Sequence, residues 1–156
     1  MTDDPRVSSF LWTPLLSSWR RLLAAAAAVA AIAHLPVIGP HLDEAPYMGE
    51  EFIVLTVACL LLAVAVLVCD SAAAYSLCVL TCGLALGGYV ATRLVAFPQL
   101  ADDVGDWFEP LGVVSVLAET VAVVAAIGGL TARRAHRVRP PRDPGTEHAL
   151  ALTNVR

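Results

Sequence analysis

The sequence predicts an all-α protein, a four-helix transmembrane bundle with its N and C termini in the cytoplasm. Hydrophobic residues make up 58% of the 156 residues and charged residues only 15%, whereas a soluble domain is nearer half apolar and a quarter charged. The apolar residues form four long runs, as in membrane-spanning helices. Nine of the ten basic residues, all arginines, lie on one side of these runs. They are Arg6, Arg20, Arg21, Arg133, Arg134, Arg137, Arg139, Arg142 and Arg156.

The positions of the acidic residues support the same prediction of membrane orientation. Two connections, residues 43–51 and 102–109, hold eight carboxylates between them. Short loops rich in arginine stay in the cytoplasm, so both acidic connections are predicted to face outward. The chain has no lysine and is rich in alanine, which is typical of GC-rich bacterial genes. We therefore expect a multi-pass protein of a bacterial plasma membrane.

The chain begins with residues 1–18, where Trp12 lies among serines and prolines. This composition fits a cytoplasmic or interfacial segment, and a loose leader is the alternative. The four-span membrane domain is predicted over residues 19–131. Its first span covers about residues 22–38 and is expected to end at Pro36 and Pro40, because proline cannot continue a regular helix. Its alanine run suits close packing against neighbouring helices.

The second and third spans are predicted at residues 52–69 and 74–96. The connection between them contains Asp70 and Ser71 and is very short. A link of this length requires an antiparallel hairpin, which the orientation places on the cytoplasmic side.

The fourth span is predicted at residues 111–131. Asp106 and Glu109 have the spacing of a capping box before it, and Pro110 fits the first helical turn. Residues 132–156 are basic and contain prolines, which predicts a disordered cytoplasmic tail.

Two charged residues lie within the apolar runs. Arg93 is near the outer end of the third span and Glu119 is inside the fourth. An ionised side chain near the membrane centre costs at least about 2.5 kcal/mol. Side chains lean toward the N-terminus of their helix, which brings the two to similar depths and predicts a buried Arg93–Glu119 ion pair. The alternative is a protonated Glu119 that is hydrogen-bonded by Ser115, Thr120 or a neighbouring helix.

Two further residues could join this polar core. His34 lies at a similar depth in the first span, and Tyr89 precedes Arg93 by one helical turn. For His34, a proton-relay or ligand role stands beside the plainer role of a packed histidine that is bonded to a backbone carbonyl.

The outer connections also suggest a metal site. Carboxylates suit calcium, magnesium or manganese, and imidazoles suit transition metals. The spacing matches no named motif, and a plainer interpretation is that the acids keep an outer surface hydrated. No cofactor is predicted beyond this divalent-metal alternative. Its candidate ligands are His34, His41, Asp43, Glu44, Asp102, Asp103 and Asp106.

The stretches from Tyr89 to Gly112 and from His34 to Tyr47 together resemble a group of small four-helix integral membrane proteins of high-GC actinobacteria. The resemblance covers roughly residues 20–131 and not the tails. It implies the membrane fold and adds no catalytic residue.

From these patterns we expect a small non-enzymatic membrane protein whose acidic outer face binds a partner protein or a cation, as an accessory or sensor. One alternative is an oligomeric transporter with a polar path through Glu119, Arg93 and His34. Another is a metal-binding, haem-binding or redox protein that uses His34 and His41. The lipid bilayer is the first partner, followed by a membrane protein or further copies of the chain; nucleic acid is not expected.

Overall fold

The computed structural model describes Leu15 and residues 17–138, with side chains described as far as residue 132. Within these limits the protein is all-α. Helix α1 spans Arg20–Glu44, α2 spans Pro46–Cys69, α3 spans Ala72–Leu94 and α4 spans Pro110–Val138. A short 3-10 turn, Ala101–Asp103, lies between α3 and α4.

All four helices are long and apolar enough to cross a membrane. Their outward faces carry large apolar side chains, such as Val54, Leu61, Val68 and Leu84. A surface of this kind is stable against lipid and costly in water. The protein is therefore a multi-pass membrane protein by the length and composition of its helices.

The helices run alternately up and down, and each packs against two others. Helix α1 lies against α2 and α4, and α3 lies against α4 and, less closely, α2. One end of the bundle carries the α1–α2 and α3–α4 connections, which we call the acidic end. The other carries the α2–α3 connection and the start of α1, which we call the basic end.

The core is built largely from small residues. Between α1 and α4 the buried side chains are mostly alanines, among them Ala27, Ala30, Ala122 and Ala126. Small residues let helix backbones approach closely, which is how helices gain contact area in a membrane. The predicted packing role of the alanine run in α1 is confirmed, because Ala24, Ala26 and Ala27 are buried.

Helix α1 does not end at its prolines as predicted. It passes through Pro36 and Pro40 and ends at Glu44. Proline is tolerated inside membrane helices, where neighbouring groups satisfy the freed backbone carbonyls. The outer stretch predicted as a loop is consequently helical, and Ala45 alone separates α1 from α2.

The tight α1–α2 corner depends on a glycine. A β-carbon on Gly49 would lie 2.7 Å from the backbone nitrogen of Leu42, which is closer than such atoms can approach. The glycine therefore allows α1 and α2 to pack closely at the acidic end.

Only Asp70 and Ser71 separate α2 from α3. Asp70 adopts the left-handed conformation with φ 42° and ends α2, while the Ser71 side chain accepts a hydrogen bond from the Ala74 N–H at 3.3 Å. The Asp70 carboxylate is buried and accepts hydrogen bonds from the Tyr75 hydroxyl at 2.8 Å and the Ser17 N–H at 3.1 Å. Asp70 thus ties the chain before α1 to the hairpin.

Both predicted terminal segments fall mostly outside the described residues. Of residues 1–18, the structure describes only Leu15, Ser17 and Ser18. Helix α4 continues to Val138, past the predicted end at residue 131, so the first part of the predicted disordered tail is helical.

Candidate functional site

A cavity of about 360 Å³ opens inside the acidic half of the bundle. All four helices and the α3–α4 connection contribute to its wall. Its volume lies within the range of small-molecule sites, which combine apolar walls with a few placed polar groups. The lining side chains that matter for its chemistry are His34, Phe52, Tyr89, Arg93, Ser115 and Glu119.

The floor of the cavity is a group of three buried polar side chains. The His34 Nε2 atom lies 3.1 Å from Glu119 Oε1, and the Ser115 hydroxyl donates to the same oxygen at 3.2 Å. The Ser115 oxygen also lies 3.3 Å from His34 Nε2. Ser115 and Glu119 are four residues apart, so both lie on the face of α4 that meets α1. We call this group the polar floor.

The mouth of the cavity holds a second charged group. The Arg93 Nη1 atom donates to Asp103 Oδ1 at 2.9 Å and to the Asp103 carbonyl at 3.3 Å. The Tyr89 ring covers the guanidinium, with its centroid 4.7 Å from Arg93 Cζ. Arg93 is only 7% exposed, and its Nε has no hydrogen-bond partner among the described residues.

The predicted Arg93–Glu119 ion pair is therefore not formed; the two residues have different partners. Glu119 follows Pro110 by nine residues, about 14 Å along the helix. Arg93 lies in the last turn of α3, and the α3–α4 connection folds back over it through a hydrogen bond from the Gly105 N–H to the Arg93 carbonyl at 3.0 Å. This fold brings the Asp103 carboxylate to the guanidinium.

The sequence interpretation missed Asp103 as the partner of Arg93 and treated it as an outer-loop acid and a candidate metal ligand. Two signals were present. Gly105 permits the positive φ of 84° with which the chain turns back. Leu100 is an apolar residue in a polar stretch, and it is 2% exposed, which shows that the connection packs onto the bundle.

His34 and His41, both in α1, have different hydrogen-bond partners. His41 Nδ1 lies 2.8 Å from the Val37 carbonyl one turn earlier in the same helix. The Phe52 ring packs against both imidazoles, with centroid distances of 5.4 Å to His34 and 4.9 Å to His41. The packed, carbonyl-bonded role considered for His34 belongs to His41 instead.

The predicted metal ligands do not converge. Among the side chains that the structure describes, no three His, Cys, Asp or Glu residues are placed to hold one metal ion. His34 and Asp103 are bonded to Glu119 and Arg93, as described above, and His41 to a backbone carbonyl. The remaining candidates, Asp43, Glu44, Asp102 and Asp106, are exposed. The geometry lends no support to the metal alternative.

The predicted helix cap forms with a different register. Helix α4 begins at Pro110, and the Glu109 carboxylate accepts hydrogen bonds from the Leu111 N–H at 3.1 Å and from the Gly112 N–H. Glu109 therefore occupies the capping position directly before the helix. Asp106 was predicted to share the cap, but it lies in the preceding turn, where its backbone N–H bonds the Asp103 carbonyl.

Glu109 and Tyr89 also border the cavity mouth. The Tyr89 hydroxyl donates to the Trp107 carbonyl at 2.9 Å, and the Tyr47 hydroxyl donates to the Pro98 carbonyl at 2.6 Å. These bonds attach the α3–α4 connection to α3 and α2. The mouth is thus held by side-chain bonds from two helices.

Comparison with known proteins finds no matching protein family, no significantly similar curated protein and no significantly similar solved structure. The resemblance to actinobacterial membrane proteins stays a prediction, and the function must be argued from the cavity itself.

Proposed function

We propose that this protein is a non-enzymatic membrane protein that binds a small organic molecule in the cavity of its acidic half, as a sensor or accessory component. The observation that carries the proposal is the polar floor, His34, Ser115 and Glu119, buried beneath a cavity of about 360 Å³. Buried ionisable groups at membrane depth are costly and usually serve a function.

The cavity is a better candidate than the outer acidic surface. The carboxylates of that surface, such as Asp43 and Glu50, are exposed, and exposed charges contribute little binding energy one by one. The cavity instead joins apolar walls to buried polar groups. Binding of a partner protein or a cation by the outer surface stays a prediction with no further observation in its favour.

We also propose which side of the membrane the cavity faces. The arginine distribution puts the basic end and both termini in the cytoplasm, so the cavity faces the outer side of a bacterial plasma membrane. In that arrangement the ligand reaches the cavity from outside the cell or from the outer leaflet.

The proposal is tested by filling the cavity. A β-carbon added at Gly88 or at Gly83 would meet no atom within 4 Å. Gly88 lines the cavity, whereas Gly83 lies outside the lining. We expect organic extracts of the purified wild type and of Gly83→Trp to contain a common small molecule, detected by mass spectrometry, that is depleted in Gly88→Trp. Identical extracts from all three proteins would count against a ligand in the cavity.

A second candidate function is transport by an oligomer, with Glu119, Arg93 and His34 along the path. It is favoured by the depth of Glu119, a carboxylate that is 1% exposed inside a membrane helix. Four helices enclose little volume, so a complete path would need symmetry-related copies. Proteoliposome flux that disappears in Glu119→Gln would favour transport, and flux unchanged by this substitution would remove the candidate.

A further inference from the structure

The cavity is lined by more acidic than basic side chains. Its carboxylates belong to Glu51, Asp103, Glu109 and Glu119, and its one arginine is Arg93. A ligand entering the cavity meets this charge in a setting with little water, where electrostatic interactions are stronger than at an exposed surface. The charge of each carboxylate therefore bears on which ligands fit.

Three of the four carboxylates are already compensated or hydrated. Asp103 is paired with Arg93 at 2.9 Å. Glu109 receives two N–H groups at the start of α4, where the helix dipole favours negative charge. Glu51 is exposed and can remain in water.

Glu119 differs from these three. It is 1% exposed, and the side-chain partners described for it are His34 and Ser115. A buried carboxylate is stable only when it is paired or hydrogen-bonded. The His34 imidazole, 3.1 Å from Glu119, compensates the carboxylate only when it is protonated. No guanidinium contacts Glu119 among the described residues, because Arg93 is bound by Asp103. A cationic group from a ligand would complete its coordination.

We infer that the ligand is an organic ammonium ion with an apolar body, its N–H groups donated to the Glu119 carboxylate. This inference rests on the proposed function of the cavity. Phe52 packs against His34 at the floor, with ring centroids 5.4 Å apart, and an aromatic face near the site stabilises a cation further. Leu55 and Val37 provide apolar wall for the rest of the molecule.

The alternatives fit less well. An anionic ligand could accept a hydrogen bond from the unpartnered Nε of Arg93. It would, however, find Nη1 occupied by Asp103 and would face three further carboxylates. A neutral molecule would gain the apolar contacts but would add no cationic partner beside His34 and Ser115 at the Glu119 carboxyl group. A metal ion would need a group of ligands that the described side chains do not form.

The test compares three probes of nearly equal size: phenylbutylamine, phenylbutanol and phenylbutanoate. At about pH 7 the amine carries a positive charge, as lysine does. Their binding is measured by calorimetry to the wild type in phosphatidylcholine nanodiscs, with empty nanodiscs as the blank for partitioning. We expect saturable amine binding with an affinity at least about tenfold above that of the alcohol.

Two pairs of variants locate the bound amine. Removing one partner of a buried charge pair costs about 2 kcal/mol or more, so Glu119→Gln should weaken amine binding by about 30-fold or more. Glu50→Gln makes the same chemical change at an exposed site outside the cavity and should leave the affinity unchanged. Gly88→Trp should block binding and Gly83→Trp should not.

The outcomes separate the inference from the proposed function. If the alcohol or the carboxylate binds as tightly as the amine and Gly88→Trp blocks it, the ammonium class is wrong while the cavity remains a binding site. If no probe binds above the blank, the ammonium class is again wrong, and the extract comparison alone decides whether the cavity holds another ligand. Should Glu119→Gln fail to fold, the ranking of the three probes on the wild type still decides the ligand class.

Discussion

Arg93 is a buried cation held by two different kinds of contact. Its Nη1 reaches the Asp103 carboxylate and carbonyl, and its planar face lies against the Tyr89 ring. The side chain of Asp103 is 27% exposed, so water screens part of the attraction. The interaction is therefore weaker than that of a fully buried pair, but it should still be measurable.

A pair of double-mutant cycles tests this arrangement. Arg93→Gln and Asp103→Asn should be coupled by about 1 kcal/mol in the free energy of unfolding, because they share a direct contact. The effects of Arg93→Gln and Glu119→Gln on the free energy of unfolding should be additive within about 0.5 kcal/mol, because these two residues are not in contact. The measurement is reversible unfolding in mixed detergent micelles. Coupling in the second cycle and not in the first would restore the Arg93–Glu119 pair that the sequence predicts.

At the residue scale the sequence identifies the buried polar side chains but not their partners. Arg93, Glu119 and His34 stand out because charged and polar groups are rare in apolar runs. Depth along a helix can be counted from the sequence. The path of a connection cannot, and here the fold of residues 95–109 determines that Asp103 rather than Glu119 meets Arg93.

Capping by Glu109 at the start of helix α4 should contribute measurably to the stability of the protein. Replacing Glu109 with Ala removes the acceptor for two backbone N–H groups and should cost about 1 kcal/mol of stability. Replacing Asp106 with Ala should change stability by less than about 0.5 kcal/mol, since it is an exposed turn residue. Thermal unfolding of both variants in one detergent checks this. A larger loss for Asp106→Ala would favour the capping register that the sequence predicts.

The start of α4 also depends on a close approach. A β-carbon on Gly112 would lie 2.8 Å from both Glu109 Oε2 and the Cε2 atom of Tyr89. A glycine at this position leaves room for the capping carboxylate and the Tyr89 ring to meet the helix together.

At the basic end of the bundle, replacing Asp70 should have two opposite effects on the free energy of unfolding. Asp70→Gly would relieve the positive φ by up to about 1 kcal/mol. It would also remove a buried carboxylate that accepts two hydrogen bonds, each worth about 1.5 kcal/mol or more. We expect a net loss of roughly 2 kcal/mol in unfolding free energy.

Asp70→Asn is the matched control for this substitution. Asparagine tolerates the left-handed conformation and keeps one acceptor oxygen, so its loss should be smaller than that of Asp70→Gly. If Asp70→Gly were as stable as the wild type, the bonds to Tyr75 and Ser17 would contribute little.

Helix boundaries were predicted best where chemistry is local. Ser71 and Asp70 mark the α2–α3 hairpin because capping and turn residues act on their immediate neighbours. The prediction that α1 ends at Pro36 and Pro40 is wrong, because the effect of a proline on a helix depends on its surroundings. In a membrane helix the neighbours decide whether a proline ends the helix or is accommodated within it.

The membrane orientation of the whole molecule can be read from its cysteines. Cys69 is exposed near the basic end, whereas Cys59, Cys78 and Cys82 are buried. We expect a membrane-impermeant maleimide to label Cys69 in inside-out vesicles but not in intact cells. Asp102→Cys on a Cys69→Ser background should show the reverse pattern. Labelling of Cys69 from outside would invert the proposed topology.

Hydropathy predicts the four helices because backbone groups in a membrane must be bonded within their own segment. It does not predict which helices are neighbours, since the apolar faces of all four look alike in the sequence. The cavity follows from that arrangement: α1 and α4 supply its floor, and α2 and α3 supply Phe52 and Tyr89. A whole-molecule property of this kind could not be predicted from periodicity or composition.

The contact between His34 and Glu119 at the floor of the cavity is the central claim, and the imidazole nitrogen resonances of His34 test it most directly. The chain has four histidines, so ¹⁵N-labelled imidazoles in nanodiscs can be assigned by single substitutions. We predict that Glu119→Gln and Gly88→Trp each move the His34 signal, whereas Glu50→Gln and Gly83→Trp leave it in place. A His34 signal that is unchanged in Glu119→Gln would contradict the polar floor and the function proposed from it.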